Sequence, residues 1–372
     1  MIGLLIGGVL GLVLSAAGTP LFIRFLVKRG YGQFVRDDGP TTHKTKRGTP
    51  TMGGAVIIGS MVLAYLITHG LLAVFGVDFG GPTASGLILL LLTVGMAFVG
   101  FVDDFTKITK QRSLGLTPRG KIILQALIGT AFAVLALNFP DERGLTPAST
   151  AISFARDVPW LDLAFAGPAI GVILFVIWSN LITTATTNAV NLTDGLDGLA
   201  TGATAMITGA YVLMSLFQSS QSCALEGTRG CYEVRDPMDL ALLAAILTGS
   251  LLGFLWWNTS PAKIFMGDTG SLGLGGALAG FAIFTRTEIL VAVLAGLMVA
   301  ITLSVIIQVG WFKVSGGKRV FLMAPLQHHF ELKGWQEVTI VVRFWIIAGL
   351  FTAIALAVFY GEWLISNGGA FL

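Results

Sequence analysis

The sequence has 372 residues, of which 54% are hydrophobic and 12% are charged, with a formal net charge of +3 and a mean hydropathy of +0.82. Soluble domains carry about 25% charged residues, so this composition excludes an ordinary water-soluble globular protein. We therefore predict a polytopic integral membrane protein.

Ten apolar runs are long enough, or nearly long enough, to cross a bilayer core, which requires about 20 apolar residues per helix. They cover 2–26, 52–75, 84–102, 122–139, 167–187, 199–217, 240–257, 271–285, 289–312 and 344–366. The eighth is short and glycine-rich. The first is too long for a signal-peptide core and lacks a basic start, so we interpret it as a retained span. The pattern predicts an all-α fold with about ten transmembrane helices.

The basic residues predict the orientation of these helices. If the 28–51 loop is cytoplasmic, only five of the 23 Lys and Arg residues fall outside, which leaves 18 inside. The five are Arg143, Arg156, Arg229, Arg235 and Arg286. This asymmetry places both termini outside. Cys223 and Cys231 then share one external loop, where either a disulfide or two unpaired thiols is compatible with the sequence.

Five aspartates lie at the ends of apolar runs, all on the predicted cytoplasmic side. They are Asp103, Asp104, Asp194, Asp197 and Asp268. An ionisable side chain so close to a hydrophobic segment is a functional-site hypothesis. Asp103 and Asp104 close the third run, and adjacent residues on a helix point about 100° apart, so we expect them to have different roles. Lys107 lies within reach of either, and a simple salt bridge at a helix end is the alternative.

A polar repeat follows the fifth run, in the segment NAVNLTDGLDG. Asn188, Asn191, Asp194 and Asp197 recur every three residues and would form a stripe on a helix. Amide and carboxylate groups suit the hydroxyls and amides of a sugar or a base, and we favour a binding site over helix capping and a turn.

Two further segments carry polar side chains. In NTSPAKIFMGDTGS (258–271), Asp268 could approach a metal or phosphate or cap the next helix, and Phe265 could stack on a base or anchor the interface. The sequence Gln327-His328-His329 lacks the spacing and third ligand of zinc motifs, whereas aspartate oxygens favour Mg²⁺. The basic residues on this face follow the membrane topology, so attraction to membrane lipid explains most of them and no nucleic-acid partner is expected.

Five segments together resemble a known family. They are KRGTPTMGG (46–54), FVDDFTK (101–107), NAVNLTDGLDGLA (188–200), FMGDTGS (265–271) and HHFELKGW (328–335). In this order they resemble the phospho-N-acetylmuramoyl-pentapeptide-transferases, a family of the polyprenyl-phosphate N-acetylhexosamine-1-phosphate transferase superfamily. The resemblance covers essentially the whole chain, so it implies a single transferase domain over 1–372.

The resemblance implies a reaction and a location. The reaction is Mg²⁺-dependent transfer of phospho-MurNAc-pentapeptide from UDP-MurNAc-pentapeptide to undecaprenyl phosphate, which gives lipid I and UMP in the first membrane step of peptidoglycan synthesis. The resemblance also implies a ten-helix fold, a homodimer, a groove for the prenyl chain, and an active site on the cytoplasmic face of the bacterial plasma membrane.

The resemblance further implies roles for individual residues. Asp268 would ligate Mg²⁺, and Asp103 would deprotonate the lipid phosphate with Asp104 beside it; a covalent nucleophile at either position is the rival. His328 and His329 would complete the site. The remaining predicted substrate contacts are Lys46, Thr51, Lys107, Lys121, Asn188, Asn191, Asp194, Asp197, Asn258, Phe265 and Gly267. Of these, Asn191, Asp194, Phe265 and Gly267 would hold the uridine. The family often has a third His where this chain has Gln327, which makes an acid–base role there doubtful.

Two other functions compete with this interpretation. A sister enzyme that moves GlcNAc-1-phosphate to a prenyl phosphate would share the aspartates but not the 328–335 loop. A secondary transporter would place its charges near the bilayer midplane and often contains a repeat, and neither feature is found in this sequence.

Overall fold

The computed structural model describes residues 1–32, 48–77, 81–111, 114–225 and 230–367. Within these ranges the chain forms twelve helices and one small β-hairpin. The helices are α1 (Ile2–Arg29), α2 (Gly54–Val74), α3 (Ala84–Thr109), α4 (Pro118–Ala136), α5 (Pro168–Thr193), α6 (Leu199–Ser220), α7 (Pro237–Asn258), α8 (Gly267–Phe284), α9 (Leu290–Leu294), α10 (Gly296–Val314), α11 (Leu326–Leu332) and α12 (Glu337–Ser366). The hairpin pairs β1 (Ala151–Ser153) with β2 (Asp157–Asp162) in antiparallel orientation.

Nine of the helices in the described ranges are long and apolar enough to span a membrane, namely α1 to α7, α10 and α12. This confirms the prediction of an all-α polytopic membrane protein. The eighth apolar run forms α8, which is not among the nine because its first turn is polar and its sequence is rich in glycine. The ninth run is divided at Ala295 into α9 and α10.

Helix α8 lies at the centre of the bundle, and every residue from Thr269 to Phe284 is buried. Its glycines allow neighbouring backbones to approach closely. A Cβ at Gly275 would lie 2.3 Å from the Cα of Thr187 in α5, a distance that no real side chain tolerates. Close packing through small residues is the usual way in which membrane helices associate.

One end of the bundle carries the predicted aspartates, and we call it the aspartate end. The opposite end is fastened by the hairpin and a disulfide. Cys223 and Cys231 are bonded to each other, which decides between the two alternatives left by the sequence. Arg156, in the turn of the hairpin, donates hydrogen bonds of 2.9 Å to Glu362 in α12 and to the carbonyls of Gly230 and Cys231.

A buried carboxylate also fastens the hairpin to the helices. Glu288, between α8 and α9, accepts hydrogen bonds from the Ser153 amide (3.0 Å) and from the Trp178 indole (3.1 Å). Burial raises the pKa of Glu288 to about 7. The sequence did not predict this hairpin, because the 140–166 loop mixes Asp, Arg, Pro and Ser without a recognisable motif.

Candidate active site

Three carboxylates converge where the last turns of α3 meet the first turn of α8. Helix α3 continues past its apolar run to Thr109, so Asp103 and Asp104 lie inside the helix, and α8 begins at Gly267, so Asp268 lies in its first turn. One oxygen from each of the three carboxylates falls within 4.8 Å of the other two. The predicted aspartates of these two separate segments therefore form one cluster.

Asp103 and Asp104 face different neighbours, as their 100° separation on a helix requires. Asp103 Oδ1 accepts a hydrogen bond of 2.9 Å from the backbone amide of Leu116, in the segment that leads into α4. Asp104 Oδ2 accepts from both the amide (2.9 Å) and the hydroxyl (2.8 Å) of Thr269. Asp104 is thus fixed to α8, whereas Asp103 is fixed to the α3–α4 connection.

Two lysines contact the cluster. Lys107 Nζ lies 2.7 Å from Asp103 Oδ2, 3.5 Å from Asp104 Oδ1 and 3.2 Å from Asp268 Oδ2. Lys121 Nζ, from the first turns of α4, lies 2.6 Å from Asp268 Oδ2. Three carboxylates and two ammonium groups leave the cluster one negative charge in excess.

This donor set fits a hard divalent cation. Mg²⁺ prefers carboxylate oxygens, usually one or two together with water and substrate phosphates. The described cluster contributes aspartate oxygens and neither His nor Cys, so it lacks the ligands that zinc prefers. The sequence singled out only Asp268 as a metal ligand, and the geometry adds Asp103 and Asp104 as candidates.

The end of α5 supports the same cluster through Asn191. Its side-chain amide donates hydrogen bonds to Asp268 Oδ1 (2.9 Å) and to Ser271 Oγ (2.8 Å). Asn188, one turn earlier, is exposed and donates instead to the carbonyl of Thr184 in its own helix, at 2.8 Å. The predicted polar stripe is therefore divided, and only its later part reaches α8.

Asp194 caps the C-terminus of α5 and begins the turn that leads to α6. Removal of water by the surrounding protein, and then the negative charges of Asp268, Asp104 and Asp197, raise the pKa of Asp194 to about 8. A backbone hydrogen bond from Gly267 acts in the opposite direction. Asp194 therefore lies close enough to the carboxylate cluster for the negative charge of the cluster to raise its pKa.

Gly267 is required at the start of α8. Its φ of 73° lies in the left-handed region, which favours glycine, and a Cβ there would lie 2.6 Å from Asp104 Oδ2 and 2.9 Å from Thr51 Oγ1. Phe265, two residues earlier, donates its amide to the Pro50 carbonyl at 2.8 Å. The segment with Thr51 thus runs beside the start of α8, while predicted Lys46 lies outside the described residues.

Asp197 and Asn258 are engaged with the loop that leads to Asp268. Asp197 Oδ2 accepts from the amide of Ala262 at 3.0 Å. The Asn258 amide donates to the Ile264 carbonyl at 2.9 Å, and its oxygen accepts from the Thr201 hydroxyl at 2.7 Å. These contacts position the 259–266 loop, and direct substrate binding by the two residues stays a prediction.

The remaining predicted residues lie on α11. Gln327 is fully buried, and its amide donates to the Leu192 carbonyl at 2.9 Å, so it fastens α11 to α5. His328 Nδ1 lies 2.6 Å from Glu331 Oε2. His329 Nδ1 accepts from the Leu322 amide at 3.1 Å, and burial together with Lys333 lowers the pKa of His329.

Three residues that contact predicted site residues were not singled out from the sequence. Thr269 and Ser271 lie in DTGS, a sequence that is also typical of a helix N-cap and so gives no separate sign of a binding site. Glu331 lies in HHFELKGW, where the two histidines are the more conspicuous candidates. Their contacts depend on how α8 meets α3 and α5 and on the local geometry of α11, which hydropathy does not encode.

Comparison with known proteins supports a single family. A sequence profile described as glycosyl transferase family 4 matches residues 86–286, and one described as phospho-N-acetylmuramoyl-pentapeptide-transferase signature 1 matches residues 46–58. A phospho-N-acetylmuramoyl-pentapeptide-transferase of Micrococcus luteus is 95% identical over 369 residues, 99% of this chain and 98% of the relative. Proteins of the same name from Pseudarthrobacter chlorophenolicus (67% identical over 367 residues; 98% and 100% covered) and Kocuria rhizophila (64% over 371; 100% and 98%) also match. With these full-length identities and an all-α membrane fold, the chain belongs to the phospho-N-acetylmuramoyl-pentapeptide-transferase family.

Proposed function

We propose that the protein transfers phospho-MurNAc-pentapeptide from UDP-MurNAc-pentapeptide to undecaprenyl phosphate in a Mg²⁺-dependent reaction, with lipid I and UMP as products. This would be the first membrane step of peptidoglycan synthesis. The observation that carries the proposal is the cluster of Asp103, Asp104 and Asp268 with Lys107 and Lys121, in a chain with full-length relatives that carry this enzyme's name.

Phosphoryl transfer depends mainly on positioning and on neutralising charge. Asp268, with Asp103 and Asp104, would hold Mg²⁺, which when bound neutralises the diphosphate and stabilises the departing UMP. Lys107 and Lys121 already lie against the same carboxylates, so their ammonium groups are close enough to pair with substrate phosphates.

We assign the proton acceptor to Asp103. The Asp103 carboxylate would take the proton of undecaprenyl phosphate, whose oxygen then attacks the β-phosphorus of the donor. The bond between the β-phosphorus and the oxygen of the UMP phosphate breaks, and UMP leaves. Asp104 is the weaker candidate for a chemical role because two hydrogen bonds from Thr269 hold one of its oxygens. A covalent aspartyl intermediate is the rival route.

The donor's uridine would lie between the end of α5 and the start of α8. Asn191 and Asp194 border this region, and the backbone of Phe265 and Gly267 forms the facing segment. Thr51 lies beside Gly267, where a phosphate or sugar oxygen would be within reach. The ring of Phe265 would stack on the base. Lys46, Asn188, Asp197 and Asn258 would contribute further contacts, His328 and His329 would close the site, and a homodimer in the bacterial plasma membrane is expected for the family.

The excess of Lys and Arg in the loops at the aspartate end supports a cytoplasmic active site and external termini. In that orientation the soluble donor reaches the cluster from the cytosol. The lipid phosphate reaches it along the membrane boundary, where α3, α5 and α8 end or begin. One transferase domain over 1–372, with membrane lipid around it, would accommodate both substrates.

The test is UMP release by the purified full-length protein in detergent with undecaprenyl phosphate and Mg²⁺. UDP-MurNAc-pentapeptide and UDP-GlcNAc are compared as donors, and EDTA provides the metal-free control. Release from the muramoyl donor alone, abolished by EDTA and restored by Mg²⁺, is expected. Release from UDP-GlcNAc would instead establish the sister enzyme. Release from neither donor would refute the transferase proposal and favour a transporter.

A further inference from the structure

Asn191 of α5 bridges two residues at the start of α8. Its side-chain NH₂ group donates one hydrogen bond of 2.9 Å to Asp268 Oδ1 and another of 2.8 Å to Ser271 Oγ. Asp268 and Ser271 are three residues apart, so they lie on the same face of α8. Because an NH₂ group has only two hydrogens, both of those of Asn191 are committed to this helix.

The charge of Asp268 determines which end of the Asn191 amide faces α8. Lys121 Nζ and Lys107 Nζ lie 2.6 Å and 3.2 Å from Asp268 Oδ2, so the carboxylate is ionised and only accepts hydrogen bonds. A reversed Asn191 side chain would direct its carbonyl oxygen at this carboxylate, which offers no proton. Ser271, as the second acceptor, then fixes the plane of the amide.

The bridge divides the two oxygens of Asp268 between different partners. Oδ1 accepts from the neutral amide of Asn191, whereas Oδ2 faces the ammonium group of Lys107. Asp103 is arranged in the same way, because its Oδ1 accepts from the Leu116 amide while its Oδ2 lies 2.7 Å from Lys107 Nζ. In both aspartates, one oxygen is held by a neutral donor and the other belongs to the charged centre of the cluster.

The packing of α5 on α8 has its own contacts apart from this bridge. One turn away, Gly275 of α8 lies directly against the backbone of Thr187 in α5. On another side of α8, Gly100 of α3 lies directly against the Asp268 carbonyl. We therefore expect removal of the Ser271 hydroxyl to leave the helices in place and to affect mainly the Asn191 side chain.

We propose that Ser271 is a positioning residue for the carboxylate cluster, which acts through Asn191 to hold the Asp268 carboxylate with Oδ2 toward the lysines and the metal position. The proposal rests on the proposed function, in which Asp268 would ligate Mg²⁺. Residues that hydrogen-bond to a metal ligand orient it, and their loss costs about 10- to 100-fold in metal affinity or activity. Without Ser271 the Asn191 amide retains one acceptor and can rotate about it, which weakens its hold on Asp268. A bond that only joins two helices would leave metal affinity unchanged.

The first measurement is binding of Mn²⁺ to the full-length protein in detergent, followed by the EPR signal of the free ion with no substrate present. Mn²⁺ is the probe because it takes the same oxygen ligands as Mg²⁺ and is paramagnetic. We expect Kd for Mn²⁺ to rise about tenfold in S271A, the lower end of the range because Ser271 acts through a second side chain. S271C fills the same space with a weaker acceptor and should fall between S271A and the unmodified protein.

A double variant tests whether Ser271 acts through Asn191. If it does, N191A and N191A/S271A have the same Kd for Mn²⁺, whereas independent effects would add and would overturn the proposal. S153A is the matched control. Ser153 is also a fully buried serine whose hydroxyl oxygen accepts a hydrogen bond, from the Glu288 amide at 3.3 Å, but it lies in the hairpin at the opposite end of the bundle. We expect S153A to leave Kd for Mn²⁺ unchanged.

The second measurement is UMP release across a Mg²⁺ titration. The Mg²⁺ concentration that gives half-maximal turnover should rise about tenfold in S271A, while KM for UDP-MurNAc-pentapeptide at saturating Mg²⁺ changes less than about threefold. Excess Mg²⁺ should therefore restore most of the lost turnover. It would not do so if the substitution had instead displaced the helices.

The two readouts distinguish the possible failures. An unchanged Kd for Mn²⁺ in S271A would overturn the positioning role, as would the absence of Mn²⁺ binding by the unmodified protein. Loss of the folded state in both S271A and S271C would also overturn it, because the bond would then be required for packing. If the unmodified protein binds Mn²⁺ but turns over no donor, the proposed function fails, while the Mn²⁺ measurement still reports whether Ser271 positions Asp268.

Discussion

The crossing of α3 and α8 offers a sharp test of the candidate site, because Gly100 of α3 lies directly against the backbone of the first turn of α8. Gly100 lies where α3 passes the first turn of α8. A Cβ at this position would lie 2.0 Å from the Asp268 carbonyl oxygen and 2.6 Å from the Thr269 amide nitrogen. Both neighbours are backbone atoms, so no side chain can rotate away to relieve the contact.

The substitution Gly100→Ala therefore requires the two helices to separate. Ordinary contact begins at 3.4 Å, so the local backbones must move apart by about 1.4 Å, the difference between 3.4 and 2.0 Å. That shift would carry Asp268 away from Asp103 and stretch the hydrogen bonds of 2.9 and 2.8 Å from Thr269 to Asp104. A misplacement of about 1 Å costs about 100-fold in rate, so we expect kcat to fall at least that far. Overpacking should also cost about 1–3 kcal/mol of stability.

The assay is UMP release across a Mg²⁺ titration, with thermal unfolding measured in parallel. Gly59→Ala is the matched control, since Gly59 is also a glycine inside an apolar helix and a Cβ there meets nothing within 4 Å. We expect the control to keep normal kcat and Mg²⁺ dependence. If G100A instead keeps kcat within about twofold of the unmodified protein, the inference that helix separation governs the carboxylate cluster is wrong.

Three other positions give measurable predictions. Asp268→Asn should remove turnover and weaken Mg²⁺ dependence while the thermal unfolding temperature is kept, whereas near-normal activity would exclude Asp268 from the metal site. Gln327→His should retain activity because an imidazole N–H can also donate to the Leu192 carbonyl, and complete inactivity would contradict an anchoring role. Burial raises the pKa of Glu288 from 4.5 to about 7, so between these pH values the folded state retains a proton that the unfolded state releases. The free energy of unfolding should therefore fall by up to about 3 kcal/mol as the pH rises from about 4.5 to about 7. Glu288→Gln should flatten this dependence in unfolding measured between about pH 5 and pH 8; parallel curves for the two proteins would refute it.

The helices could be predicted from the sequence because hydropathy reports directly on the membrane. Each apolar run corresponds to a helix, and only the ninth run is broken. The helix ends are predicted less accurately than the helices themselves, since polar residues do not stop a helix at the bilayer boundary. The third run was bounded at 102, yet α3 continues to Thr109 and carries Asp103 and Asp104 on its last turns. This extension positions Lys107 over both carboxylates.

The convergence of the aspartates could be predicted only as far as a shared face. The alternation of apolar runs and connecting loops assigns each loop to one side of the membrane, but it does not encode which helices are neighbours. The contact of Lys107 with Asp268 exists because α3 crosses α8 at Gly100. Likewise, Asn188 and Asn191 belong to one three-residue repeat, but only Asn191 faces α8. Lateral helix packing is tertiary information, and a single hydropathy profile lacks it.

Four of the five aspartates are distinguished by what they contact. Asp197 accepts a backbone hydrogen bond, whereas the cluster of Asp103, Asp104 and Asp268 is paired with two ammonium groups.

That pairing has an electrostatic consequence. The cluster alone carries one excess negative charge, and binding of the proposed Mg²⁺ would change this to one positive charge. The diphosphate donor of the proposed reaction would be the complementary anion for that combined site. Without the lysines, three carboxylates and a divalent cation would remain net negative and would repel the donor. Under the proposed function, the two lysines would therefore set the sign of the charge at the metal-loaded site, and we expect removal of either ammonium to weaken donor binding even where the metal is retained.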